Sequence, residues 1–181
     1  MAKTILVTGG YASGKSRWVV TQHEAIDYVL YLCPDEEMDP DIKQRIAYSN
    51  QKNYVEWDLR IGVSEDLHTH IKEHKFVVLD SLASYTKILM DKMCPDTNDL
   101  NEEVIKYIAK RIIDDVAAMY EVIREQDGNM TIVTLETGFA VAPEDKRQAA
   151  FGRILGIVNQ RIANISTEVY LSVSGIQVRI R

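Results

Sequence analysis

The chain has 181 residues, 46% of them hydrophobic, and a formal net charge of −6 at pH 7. This length fits a single domain, 1–181, with a substantial core, and the acidic balance excludes the basic face of most nucleic-acid binders. No run of 18 apolar residues occurs, so no helical membrane span is expected.

The first apolar run is Thr4-Ile5-Leu6-Val7-Thr8, read as a strand over 4–8. It leads straight into Gly9-Gly10-Tyr11-Ala12-Ser13-Gly14-Lys15-Ser16, which fits G-x-x-x-x-G-K-[ST]. With glycine near ~7% of residues, a chance match arises in roughly one chain in a hundred of this length. A phosphate-binding loop needs a buried strand to hold it, glycines that let the backbone wrap an anion, and a helix start behind it. All three are present. Lys15 is expected to reach the β/γ-phosphates of ATP or GTP and Ser16 to hold Mg²⁺. His23, late in the following helix, reads as a helix-end cation.

The second strand is expected at 28–32, followed by Pro34, Asp35 and Glu36, which leave it at the edge where open parallel sheets bind ligands. His68, His70 and His74 read as a solvated, helical face. Phe76-Val77-Val78-Leu79-Asp80 reads as a third strand ending in a carboxylate. Asp80 is placed to support Mg²⁺, or else to cap the helix that begins near Leu82. Ile105, Ile108, Ile112, Val116, Met119 and Ile123 mark an amphipathic helix over 101–125, ended by Asp127-Gly128. A strand at 130–135 then delivers Glu136, read as a second carboxylate or a base. A helix at 146–165 and strands at 168–173 and 176–181, joined by Ser174-Gly175 as a tight hairpin, complete the chain. Strands alternating with helices predict an α/β fold: a mostly parallel sheet of the P-loop NTPase kind, flanked by helices, with a C-terminal antiparallel hairpin. Cys33 and Cys94 are too few and too isolated for disulfides or zinc, and the N-terminus lacks a signal-peptide pattern, so a cytoplasmic protein is expected.

Several ordered segments together are more specific. Ile5-Leu6-Val7-Thr8-Gly9-Gly10, Ser13-Gly14-Lys15-Ser16-Arg17, the run Asp39 to Ile46, Trp57, and Thr134-Leu135-Glu136-Thr137-Gly138 form one set. Ala142-Pro143-Glu144, Gly156 to Arg161 and Val173-Ser174-Gly175-Ile176 follow in order. Together these resemble the adenosylcobinamide kinase / adenosylcobinamide-phosphate guanylyltransferase family of cobalamin biosynthesis. The resemblance implies a P-loop α/β fold, phosphorylation of the adenosylcobinamide side-arm hydroxyl by a nucleoside triphosphate, and GMP transfer through a guanylylated histidine. It also implies a homo-oligomer, a trimer in this family.

This chain departs from the family pattern in the guanylyl-transfer segment. Tyr48 stands at the histidine position, followed by Ser49; Leu59 and Ile61 replace a Thr and a Glu; Leu135 replaces an Asn. A phenol with pKa near ~10 is a weaker nucleophile than imidazole and forms a more stable ester. The expectation is a kinase step kept and guanylyl transfer lost, with Tyr48 as a surface aromatic. The alternatives left open are a P-loop kinase of another small alcohol and a nucleotide-binding protein without turnover.

Overall fold

A computed structural model describes residues 2–139 and 143–181. Among these residues seven strands form one sheet in the order β3-β2-β4-β5-β1-β6-β7. They span Lys3–Gly9 (β1), Val29–Cys33 (β2), Asp58–Ile61 (β3), Phe76–Asp80 (β4), Asn129–Val133 (β5), Glu168–Val173 (β6) and Ile176–Arg179 (β7). Every pairing is parallel except β6 with β7. The predicted mostly parallel sheet with a C-terminal hairpin is therefore what the chain builds.

Among the described residues six α-helices cover it: Lys15–His23 (α1), Pro40–Asn53 (α2), Leu67–His70 (α3), Leu82–Met93 (α4), Glu102–Glu125 (α5) and Lys146–Ile165 (α6). Val19, Val20, Ile42 and Ile46 bring α1 and α2 onto one sheet face, against Val7, Tyr31 and Val133. The other four helices bury Leu67, Leu89, Ile112, Ile154 and their neighbours against Leu6, Leu79 and Ile132. In α5 the six apolar residues read from the sequence are all buried. Its start is fixed by Asn101, whose side chain accepts from the Glu103 and Val104 N–H groups at 3.0 Å each. Its end is fixed by the Gly128 N–H donating to the Ile123 carbonyl at 2.9 Å. A Cβ on Gly128 would lie 2.7 Å from the Lys75 carbonyl, so only glycine fits where this helix passes into β5.

The differences from expectation are local. Strand β2 begins at Val29 rather than 28 because Tyr28 is left-handed, with φ of 55°. Strand β5 stops at Val133, two residues early; the Leu135 carbonyl beyond it accepts instead from the Asn159 side chain at 2.9 Å. The short edge strand β3 was not anticipated at all.

The histidines are corrected too. His23 is no helix-end cation: it is buried, with Nδ1 2.8 Å from the Val19 carbonyl and Nε2 3.4 Å from the Thr131 hydroxyl. Burial lowers its pKa. His70 and His74 do not form a solvated face. His74 Nε2 lies 3.3 Å from the Asp58 carboxylate, and His70 Nδ1 lies 3.1 Å from Arg60.

Candidate nucleotide site

The phosphate loop turns at the carboxyl end of β1, between its two parallel neighbours β5 and β6. Gly9, Ala12 and Gly14 have φ of 150°, 53° and 89°, the positive values that let the chain curl back into α1. A Cβ on Gly9 would meet the Ser172 carbonyl at 2.4 Å, which makes glycine obligatory there. Gly14 caps α1 with backbone alone, leaving the first-turn N–H groups of the helix for an anion.

Lys15 is 9% exposed and folds across this loop. Its ammonium donates to the Gly9 and Gly10 carbonyls at 3.1 and 2.6 Å and to Ser13 Oγ at 3.4 Å. Burial lowers its pKa, and the Asp80 carboxylate works the other way.

Asp80 ends β4 in an acidic recess of about 100 Å³, lined also by Ser16, Tyr31, Cys33, Asp35, Glu37 and Asp39. The Ser16 and Tyr31 hydroxyls hydrogen-bond its carboxylate. Desolvation raises the Asp80 pKa, and those two hydroxyls and Lys15 oppose it. Asp80 is not the cap of α4. Ser81 is, its Oγ accepting from the Ser84 N–H at 3.1 Å.

A hydroxyl and a carboxylate meeting at one point are hard oxygen donors of the kind Mg²⁺ takes when phosphates and water complete its shell. Among the described residues no three His, Cys, Asp or Glu side chains gather as a complete metal site. The pair Ser16 and Asp80 fits a nucleotide-bound cation rather than a protein-caged one.

Other expected residues separate. Asp35 lines the recess, but Pro34, which is buried, and Glu36, which is exposed, do not. Glu37 and Asp39, which the sequence reading left unassigned to the site, line the recess in their place. Asp39 caps α2 as well, accepting from the Asp41 and Ile42 N–H groups at 2.8 and 3.3 Å. Tyr31 was also missed, being read as core of a strand. Burial and the adjacent Asp80 push its pKa well above the ordinary phenol value. Its ring stacks on Trp57 at 6.3 Å, and Trp57 in turn donates to the Ile26 carbonyl at 3.1 Å.

Glu136 is not in the acidic recess. It lines a separate apolar hollow of about 820 Å³ with Gly10, Tyr11, Leu135, Thr137, Gly138, Phe139, Phe151 and Gly152. One Glu136 oxygen accepts from the Gly138 N–H at 2.7 Å, and the Glu136 N–H donates to the Gly9 carbonyl at 3.0 Å. Tyr48 is 68% exposed on α2 and lines neither the recess nor the hollow. It stands seven residues beyond Asp41, which lines the cleft over the loop, or about 10 Å along the helix. Ala142, part of the Ala-Pro-Glu segment, lies outside the described residues.

Three comparisons bear on this arrangement. A family model described as cobinamide kinase / cobinamide phosphate guanyltransferase matches residues 5–180. The bifunctional adenosylcobalamin biosynthesis protein CobU of Escherichia coli K12 is 28% identical over 180 residues, 98% of this chain and 99% of that one. The protein of the same name from Salmonella typhimurium LT2 is 27% identical over 184 residues, again 98% and 99%. Among solved structures, a prototypical ATPase from the type III secretion system of pathogenic bacteria superposes with a TM-score of 0.59 at 10% identity. That match covers 98% of this chain and 56% of the ATPase, and it shows a shared fold alone.

Proposed function

The chain belongs to the cobinamide kinase / cobinamide phosphate guanyltransferase family, and from that premise we propose that it is a nucleoside-triphosphate-dependent kinase acting on the side-arm hydroxyl of an adenosylcobinamide-like substrate. The observation that carries the proposal is the juxtaposition at the phosphate loop. Lys15, Ser16 and Asp80 converge on one side, and on the other a broad apolar hollow opens beside Gly10. The first group suits a triphosphate of ATP or GTP. The second suits a bulky acceptor with apolar surface and a reacting alcohol.

In this reading the loop N–H groups and the Lys15 ammonium bind the β/γ-phosphates and stabilise charge as it builds on the transferred group. Ser16 and Asp80 would hold Mg²⁺, which would supply charge neutralisation to the bound triphosphate. Glu136 faces the hollow with one oxygen tied to Gly138, and its second oxygen makes no hydrogen bond among the described residues. In this reading it takes the proton of the acceptor hydroxyl. Tyr11 and Phe139 stand at the mouth of the hollow, 92% and 78% exposed, as contacts for the acceptor.

Guanylyl transfer is absent from the proposal. Tyr48 is a phenol outside the cleft, and Leu59 and Ile61 put aliphatic groups where the family pattern has polar ones. The protein is further proposed to act in the cytoplasm as one domain assembled into a homo-oligomer, a trimer by family resemblance. Two features support this: both cysteines are free, and the outer face of β6–β7 leaves Val173, Ile176, Val178 and Ile180 51–67% exposed.

The test is incubation with γ-labelled ATP or GTP, Mg²⁺ and adenosylcobinamide. Label appearing in a phosphorylated corrinoid supports the reading. Nucleotide binding without label transfer to any corrinoid removes the acceptor assignment.

A further inference from the structure

The turn between β6 and β7 lies against the phosphate loop through contacts that a simple hairpin does not require. Ser172 Oγ donates to the Ser13 carbonyl at 2.7 Å, and the Gly175 N–H donates to the same oxygen at 3.0 Å. Gln177 Nε2 donates to Ser172 Oγ at 3.0 Å, so the Ser172 proton is directed at Ser13 rather than at Gln177. A Cβ on Gly14 would stand 3.2 Å from Gly175 Cα. Ser172 is 1% exposed, so its bond to the Ser13 carbonyl is shielded from bulk water, while Gly175 lies at the surface.

The consequence follows from the planar trans peptide. Holding the Ser13 carbonyl toward the hairpin turns the Gly14 N–H to the opposite side of the same peptide plane. That N–H makes no hydrogen bond among the described residues. We propose that Ser172 is a positioning residue for phosphate binding: together with Gly175 it fixes the Ser13–Gly14 peptide so that the Gly14 N–H is aimed at a phosphate oxygen. The proposal rests on the reading of the loop as a nucleotide site. Without the Ser172 hydroxyl the Gly175 N–H alone holds the Ser13 carbonyl, so the peptide leaves the productive orientation more readily and binding must select it.

The experiment measures the affinity of the full chain for a fluorescent GTP or ATP analogue with Mg²⁺, alongside the thermal unfolding midpoint. Ser172→Ala should weaken binding about five- to tenfold with the midpoint little changed, because Gly175 still satisfies the Ser13 carbonyl. Ser172→Thr, which keeps the hydroxyl, should restore most of the affinity. In the unmutated protein, nucleotide should slow amide hydrogen exchange at Gly175 as well as in residues 10–16. Parent-like affinity in Ser172→Ala, or protection confined to the loop, overturns the proposal while leaving the nucleotide site intact. A parent protein that binds no nucleotide overturns both.

Discussion

Truncating Lys15 to alanine should separate what the loop needs in order to bind from what it needs in order to fold. The ammonium is 9% exposed, and its bonds to the Gly9 and Gly10 carbonyls accompany a pKa lowered by burial. Those bonds therefore offset a desolvation cost more than they add net stability. When the lysine is removed, the Gly9 carbonyl keeps the Glu136 N–H, and the half-exposed Gly10 regains water. The unfolding free energy should change by about 1 kcal/mol or less, a few degrees in midpoint for a chain of this size. Binding behaves differently, because a charge-assisted hydrogen bond to phosphate contributes about 1.5–3 kcal/mol. Nucleotide affinity should fall roughly ten- to a hundredfold, and phosphoryl transfer by a further factor of about a hundred as the charge on the transferred group goes uncompensated. Fluorescent-nucleotide titration, label transfer and thermal melting, run on parent and variant together, read the three quantities. A variant that melts ten degrees lower with proportionate loss of binding would make Lys15 a structural strut. One with parent turnover would remove the loop from the chemistry.

Asp80→Asn keeps size and leaves the Ser81 cap of α4 untouched, so it should fold normally while losing Mg²⁺-dependent turnover. An unchanged Mg²⁺ titration would refute the assignment. For His23, burial depresses the folded-state pKa below the ordinary imidazole value of 6.5. Its contribution to stability is therefore present above the unfolded pKa and lost as pH falls through the folded one. The unfolding midpoint should decline as pH drops below about 6.5, and His23→Leu should flatten that decline; parallel curves for parent and variant would clear His23. Incubation with α-labelled GTP and Mg²⁺ should leave no acid-labile GMP adduct, and Tyr48→His alone should not create one. A covalent label mapped to any residue would restore guanylyl transfer to the account.

The architecture was legible where one residue pattern dominated. β1, β4 and α5 carry long apolar periods, and each appears within a residue or two of its expected bounds. Edge strand β3 was invisible because Asp58 and Arg60 sit in a four-residue segment with no apolar run, and it is held by pairing with β2 rather than by propensity. The histidines were misjudged for a related reason. Sequence spacing places His23 at a helix end, but only the packing of α1 on β5 reveals that its ring meets Thr131.

The site divides along the same line. The loop residues are contiguous and were read directly, whereas their supports come from afar. The Glu136 N–H reaches the Gly9 carbonyl from β5, Ser172 and Gly175 reach Ser13 from β6–β7, and Tyr31 reaches Asp80 from β2. Two segments of the family resemblance, Thr134 to Gly138 and Val173 to Ile176, lie more than a hundred residues from the loop yet end against it. Parallel pairing of β1 with both β5 and β6 brings them there. Loop chemistry accounts for Lys15 and Ser16, and strand order accounts for why a tyrosine, a glutamate, a serine and a glycine elsewhere in the chain lie against the loop and Asp80. The departure at Tyr48 fits this division. It falls on an exposed helix face and lines neither the cleft over the loop nor the acidic recess.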